Sequence, residues 1–420
     1  ICLAIRCAIG LIQNLEVNDR MTPFSTDASC PLDGLVVLDL TRLVAGNMLS
    51  LQLADFGAEV IKIEQPGKGD PLRDWRIKGF SVHWKVYGRN KKSLTLDLRA
   101  SEGKELLLKL VEQADVLIEN FRPGTLETMG FGPDVLLKRN AGIVVVRISG
   151  WGQDGPYRLR PGFGTLVEGV SGFAAKNGFE DREPVLPPLA MADMITGLYG
   201  SFAVMTALRH RDQTGRGQVI DLPLLDPMYS VLGPSAAVYK LTQKIDPRIG
   251  SRSNTAGPRN VFPTKDGRWI SMSASMQVMV NRLYTALGVP EMLTDPRFRT
   301  NADRVAHADE AEAPIRAFIS THTLEEGMAF FEKNEITAAP VYSVDQFIKD
   351  PHVIARQIVV DMPDKEMGSI PMHAVVPRLS DSPGAIRRPA PELGEHTAEL
   401  LGRIGIDAQM QLSLKERKII

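Results

Sequence analysis

Leu35-Val36-Val37-Leu38-Asp39-Leu40, the turn Thr41-Arg42-Leu43-Val44-Ala45-Gly46, and Ala58-Glu59-Val60-Ile61-Lys62-Ile63-Glu64 decide the fold. The first and last are continuous β-rich runs of the kind buried on both faces of a parallel sheet. Between them a helix is expected from about Asn47 to Phe56, closed at Gly57. Strand, turn, helix, strand is a mononucleotide-type unit, and ligands of such sheets sit beyond the strand C-termini. That places Val44-Ala45-Gly46 and Gln65-Pro66-Gly67-Lys68-Gly69-Asp70 on the ligand side. Ordinary turn chemistry accounts for both stretches as well.

The alternation continues. Asn90 to Arg99 reads as a strand, Ser101 to Gln113 as a helix, Ala114 to Asn120 as a strand, and Phe121-Arg122-Pro123-Gly124 as a sharp turn. Asn120, Phe121 and Arg122 put a polar, an aromatic and a cationic group at one strand end, which suits a base, a ribose and phosphates. A surface turn would also tolerate them. A short helix from Thr125 to Met129 and a strand from Ala141 to Ser149 follow. Gly150-Trp151-Gly152-Gln153-Asp154-Gly155 then matches the dinucleotide fingerprint. That motif requires a helix directly after its glycines, and Pro156 and Arg160-Pro161-Gly162 prevent one. The stretch reads as a glycine-rich loop near the cleft, with N–H groups available to a developing oxyanion.

Asp193 stands in Pro187-Pro188-Leu189-Ala190-Met191-Ala192-Asp193-Met194-Ile195-Thr196-Gly197, ahead of an apolar run ending in Arg209-His210-Arg211 with Gly215 as a stop. The run reads as a buried helix, with Asp193 at or just inside its N-terminus. Capping is the ordinary role of such a residue. A carboxylate kept ionised at a cleft edge as a nucleophile is the alternative. Position does not separate the two.

Farther on, a long helix is expected from Leu225 to about Lys240. Val261 to Met272 reads as a hairpin around Lys265-Asp266-Gly267, with helices near 277–287, 309–319 and 324–333. The expected organisation is a tail over 1–30, extraneous or disordered, with Met21 as the natural start. A large Rossmann-like domain follows over 31–225, a linker helix and connection over 226–259, a small α+β domain over 260–340, and a return to the large domain over 341–420. The 420 residues, with formal net charge −1 and pI about 6.8, carry no basic field for nucleic acid and no polybasic run for a membrane. Cys2, Cys7 and Cys30 are the only cysteines, which leaves the main body without a disulfide framework and fits a cytoplasmic setting.

Familiar catalytic constellations are missing: no HExxH, no GxSxG elbow, no Walker A loop and no metal-spaced His or Cys set. The seven histidines lack partners at chemical spacing; His396 looks most like a candidate acid–base group, and capping explains it as well.

Pro31-Leu32-Asp33-Gly34, Gly57 to Glu64, Gly69-Asp70 and Asn90-Lys91-Lys92-Ser93 occur in an order that resembles the class III CoA-transferases. So do Glu119 to Gly124, Met129-Gly130, Ala192-Asp193 with Gly197, Gly215-Arg216-Gly217-Gln218 and Leu393-Gly394-Glu395-His396-Thr397. The resemblance implies reversible movement of CoA between carboxylic acids, with acyl-CoA as substrate and no permanently bound cofactor or metal. It also implies an α/β fold: a Rossmann-like large domain with a parallel sheet plus a smaller α+β domain, in an interlocked homodimer. By the same resemblance Asp193 is the nucleophile. Val44, Ala45, Gln65, Leu96, Asp97, Leu98, Arg99, Asn120, Phe121, Arg122, Thr128 and Met129 fall where the family holds CoA.

At Gln65 and Thr128 formyl-CoA transferases carry arginine, so Arg99, Arg73 or Arg122 must supply more of the phosphate charge. Asn254-Thr255-Ala256-Gly257-Pro258 replaces their multi-glycine loop, which disfavours formate–oxalate exchange. Phe163, Phe173, Met191 and Trp151 suggest an acyl pocket more apolar than oxalate needs. An α-methylacyl-CoA racemase is the alternative within the superfamily. Racemisation needs two bases, and Phe163 stands where one should be. A non-catalytic acyl-CoA-binding protein is the alternative outside it.

Overall fold

The computed structural model describes residues 24–420; the expected upstream segment and Met21 lie outside them. Order begins earlier than residue 31, because Phe24 bridges Ile386 and packs in the apolar cluster around Val360 and Met372. Cys30 is buried.

The chain forms two compact units. One comprises residues up to Ser171, Pro187–Gly233 and Ile354–Ile420; the other comprises Gly172–Leu186 and Pro234–Val353.

In the first unit the alternation read from the sequence appears as β1 (Val36–Asp39), α1 (Ala45–Asp55), β2 (Glu59–Glu64), β3 (Lys91–Thr95), α2 (Ser101–Val111), β4 (Val116–Glu119), β5 (Val144–Ser149), α3 (Gly164–Val170), α4 (Met191–Thr214) and β6 (Val219–Pro223). Six strands run parallel in the order β3-β2-β1-β4-β5-β6. The order reverses between β1 and β4, and this is where a doubly wound sheet opens its ligand crevice. β1 to β5 are buried on both faces, as strands of a covered parallel sheet are; β6 at the sheet edge is buried only at Leu222 and Pro223.

A lattice of buried charge supports the loop after β1. Asp39 and Lys62 are register partners on β1 and β2 and pair at 3.2 Å, with Lys62 also 3.1 Å from Asp70. Lys62 Nζ donates to Thr41 O at 2.6 Å, and Asp70 Oδ1 accepts from the Leu43 N–H at 3.0 Å. Asn47 donates to Asp70 at 2.8 Å and accepts from Lys91 Nζ at 2.9 Å. The Lys62 and Lys91 side chains are both 0% exposed. Burial pushes Lys91 down to about 8, whereas the carboxylates of Asp39 and Asp70 outweigh burial and raise Lys62. The lattice holds Leu43 in the left-handed region, φ 63°, a conformation a leucine adopts only when its surroundings impose it.

α4 ends at Gly215 in the left-handed conformation, as expected. It is not buried all round. Gly197 and Gly200 seat one face against α1: a β-carbon on Gly197 would come within 2.7 Å of Met48 Cβ, and one on Gly200 within 2.3 Å of Leu49. Leu198, Tyr199, Phe202 and Met205 on the other side are exposed, Phe202 at 72%. By length and composition this helix could cross a bilayer, but its glycine face is fitted to α1.

The second unit pairs β7 (Arg259–Pro263), β8 (Trp269–Ser273) and β9 (Ala338–Pro340) antiparallel over a core containing Phe262, Ile270, Tyr284, Ile315 and Phe331. The helix expected over 225–240 is instead two, Leu225–Ser230 and Ser235–Thr242. Gly233 at φ 62° and Pro234 interrupt it.

Candidate active site

Asp193 is the third residue of α4, but it does not cap its own helix. The N-cap is Ala190, with no side-chain cap. The Ala45 N–H, the first of α1, favours the ionised form of the Asp193 carboxylate. α1 has no side-chain cap at Val44 and no acidic residue in its first turn. A carboxylate from α4 thus sits at the N-terminal end of α1, on the side where the dipole favours an anion.

A third element completes the seat. Gly164 opens α3 so close to Asp193 that a β-carbon there would come within 2.3 Å of Asp193 Oδ2. One turn on, buried Glu168 accepts from the Ala192 N–H at 3.1 Å. Burial first and the charge of Glu168 second push the Asp193 carboxyl up to about 6, against the Ala45 N–H that lowers it. The helix terminus therefore does not depress this acid below its ordinary range; desolvation wins. At neutral pH the group is still mainly ionised, and its raised basicity makes it a better nucleophile than a solvated carboxylate.

Nearly all the other residues picked out in the sequence gather at the carboxyl end of the sheet. Val44 and Ala45 are buried at the start of α1. Asn120, after β4, binds the loop after β1 with both ends of its amide: Oδ1 accepts from the Arg42 N–H at 2.9 Å and Nδ2 donates to Arg42 O at 2.8 Å. Phe121 lies under the Arg42 guanidinium, 5.7 Å from its ring centre. Gln65 follows β2 and is half-buried. Leu96 is a core residue, Leu98 packs partly buried against the same core, and Asp97 donates its N–H to Ile419 O. Arg99 is exposed and forked onto Asp97 at 2.9 Å. Thr128 donates to Gly124 O, and Met129 packs on the core.

The three candidate phosphate cations differ. Arg73 is held by Glu64 at 2.7 and 2.8 Å, donates to Pro391 O and lies over the Trp84 ring, so it is not free for phosphate. Arg99 would have to leave Asp97. Arg122 is exposed, and among the described residues its side chain has no hydrogen bond or ion pair.

The glycine-rich loop after β5 is less open than its composition suggests. The Gly152 N–H is given to Ser149 Oγ and the Gln153 N–H to Asp221 Oδ2, both at 2.9 Å. Asn254–Pro258 lies in the second unit, where the Gly257 N–H goes to Asn301 Oδ1. Phe163 is 63% exposed just before Gly164, and Trp151 donates to Pro161 O. His396 is the N-cap residue of Thr397–Arg403, with Nδ1 3.3 Å from the Ser93 N–H, and it belongs to the packing beside β3. Among the described residues no three His, Cys, Asp or Glu side chains converge as a metal site. Sequence reasoning missed Glu168; its only signal was a lone acid inside the apolar segment Gly164-Thr165-Leu166-Val167-Glu168-Gly169-Val170.

A family profile described as CoA-transferase family III matches residues 32–397. The succinyl-CoA–D-citramalate CoA-transferase of Chloroflexus aurantiacus is 38% identical over 394 residues, 93% of this chain and 98% of that protein. The succinate–glutarate CoA-transferase of Agrobacterium fabrum is 35% identical over 387 residues, 89% and 96% of the two chains. The crystal structure of a CAIB/BAIF family protein from Brucella suis aligns with a TM-score of 0.79 at 32% identity, covering 90% of this chain and 100% of that one. The chain belongs to CoA-transferase family III and is an enzyme of the CoA-transferase type (EC 2.8.3), acting on CoA thioesters.

Proposed function

We propose that this enzyme transfers CoA through covalent intermediates on Asp193, with succinyl-CoA as donor and a four- or five-carbon dicarboxylate as acceptor. The observation that carries the mechanism is the Asp193 carboxylate itself: desolvated, raised in basicity, and seated at the start of α1 over the α-carbon of Gly164. One Asp193 oxygen attacks the thioester carbonyl; the C–S bond breaks, CoA leaves as thiolate, and a mixed anhydride remains. The thiolate then attacks Asp193 Cγ, expelling the donor acid and leaving an aspartyl-CoA thioester. The acceptor carboxylate attacks the same carbon and expels the thiolate, which takes the acceptor acyl group and frees Asp193. Holding both partners at one carbon supplies the effective molarity that a weak nucleophile needs.

The substrate reading rests on the names of the relatives from Chloroflexus and Agrobacterium. The loops carrying Val44, Ala45, Gln65, Asn120 and Arg122 would hold the CoA nucleotide, with Arg122 as the available phosphate cation. The exposed apolar side of α4 would be covered by a second copy in a homodimer. The test is to incubate the enzyme with succinyl-CoA and with monocarboxyl acyl-CoAs, trap with hydroxylamine or borohydride, and map the modified peptide. Modification at Asp193, lost in Asp193→Ala together with transfer to labelled dicarboxylates, is the expected result. An active alanine variant with unmodified Asp193 in the wild type would refute the mechanism.

A further inference from the structure

We propose that Glu168 is a positioning residue that drives Asp193 toward its covalent state: it grips the peptide before the nucleophile and sets a second negative charge beside a carboxylate whose own charge disappears on acylation. The inference rests on Asp193 being the nucleophile.

Gly164 and Glu168 are four residues apart on α3 and therefore share one face. That face meets the first turn of α4 twice: the bare α-carbon of Gly164 under Asp193 Oδ2, and the Glu168 carboxylate on the Ala192 N–H. Glu168 is 2% exposed, and a buried acid beside another disfavours ionisation of its neighbour. Other charged groups on the elements packed around α4 are engaged elsewhere. Arg147 on β5 pairs with Glu119 and Glu127. Asp55 on α1 pairs with Arg89. Asp221 on β6 accepts from the Gln153 N–H. Asp226 on the helix Leu225–Ser230 has its carboxyl pushed up by burial and then by the charges of Asp221 and Asp154, and Asp193 is not among the causes. Glu168 is the charged side chain that acts on Asp193.

When an Asp193 oxygen bonds to the acyl carbon, the electron pair of the broken C–S bond leaves on the thiolate. Asp193 becomes a neutral anhydride, later a neutral thioester, and the repulsion from Glu168 ends. When the final acyl-CoA forms, the charge returns beside Glu168. The acid thus raises the energy of the resting enzyme relative to both covalent intermediates.

Glu168→Gln keeps an oxygen for the Ala192 N–H and removes the charge; Glu168→Asp keeps the charge and shortens the reach. Two readouts are taken on each: the titration midpoint of Asp193 from its ¹³Cγ resonance, assigned by its loss in Asp193→Asn, and the fraction of enzyme carrying an adduct at a fixed acyl-CoA to CoA ratio. In Glu168→Gln the midpoint should fall by about one unit, with the adduct equilibrium falling about tenfold for each unit. In Glu168→Asp the midpoint should stay raised while turnover drops. An unmoved midpoint in Glu168→Gln overturns the proposal. If that variant does not fold, a Glu168→Asp midpoint at the ordinary aspartate value does the same. Adduct absent from the wild-type enzyme overturns the nucleophile reading as well. Adduct present in the wild type and undiminished in Glu168→Gln overturns this inference alone.

Discussion

Asp193 Oδ2 lies directly over the α-carbon of Gly164, 2.3 Å from the place a β-carbon would take. No side chain fits there without displacing the carboxylate. Gly164→Ala should therefore reduce kcat by about a hundredfold or more, since displacements of about 1 Å cost that much. The same change slightly favours α3, so the melting temperature should stay within a few degrees. Steady-state kinetics beside thermal unfolding separates the two effects; an alanine variant of normal kcat would refute the placement.

Asp193 should also be a liability for folding. Its acid is ordinarily near 3.8 and is about 6 in the folded protein. A raised acid contributes stability that is fully present below the unfolded value and lost as pH rises through the folded one. Asp193→Asn should thus match the wild type near pH 3.5, gain on it between about 4 and 6, and hold a constant advantage above, up to about 3 kcal/mol. Urea unfolding across that range measures the gap, and a gap that does not change with pH would contradict it.

Activity should follow the opposite course. Attack requires the ionised carboxylate, so kcat/KM should fall with decreasing pH below about 6, the value to which burial and Glu168 push Asp193. A pH–rate profile checks it, provided that enzyme returned from low pH regains full rate.

The two buried lysines should behave differently. Lys62→Met leaves Asp39 and Asp70 without their cation and should cost about 3–5 kcal/mol. Lys91 is less welcome as a cation, its value lowered to about 8, so Lys91→Met should cost less. Because Lys91 is depressed, its contribution to stability is present above about 10.5 and is lost as pH falls through 8. The deficit of Lys91→Met should consequently widen between pH 8 and 10. Denaturant melts of both variants at those two pH values give the comparison.

If Arg122 receives a CoA phosphate, Arg122→Ala should raise KM for the acyl-CoA about tenfold and leave kcat nearly unchanged, because a remote binding contact acts alike on ground and transition states. Initial rates at varied acyl-CoA decide it.

The sheet was legible because β-rich runs alternate with helical segments between glycine turns, and β7 and β8 because Lys265-Asp266-Gly267 marks their turn. The antiparallel pair Val359–Asp364 and Gly368–His373 was not read: Pro363 and Pro371 lie within it, and proline argues against a strand. Asp193 could be found from its neighbours in sequence, but its partners could not. The Ala45 N–H, Gly164 and Glu168 come from two other helices and meet it only once α1, α3 and α4 have packed. The buried pairing of Lys62 was not legible in the sequence, because its partner Asp39 lies across a register that only the folded sheet defines. Leu225 to Lys240 has helical composition, and Gly233-Pro234 was the overlooked signal.

The glycine seat between α4 and α1 has a mechanical consequence. With Gly197 against Met48 and Gly200 against Leu49, neither helix can slide or roll without carrying the other. If Asp193 is the nucleophile, its carboxylate and the start of α1 therefore travel together, and the flexing that admits a bulky thioester falls to the loops around them.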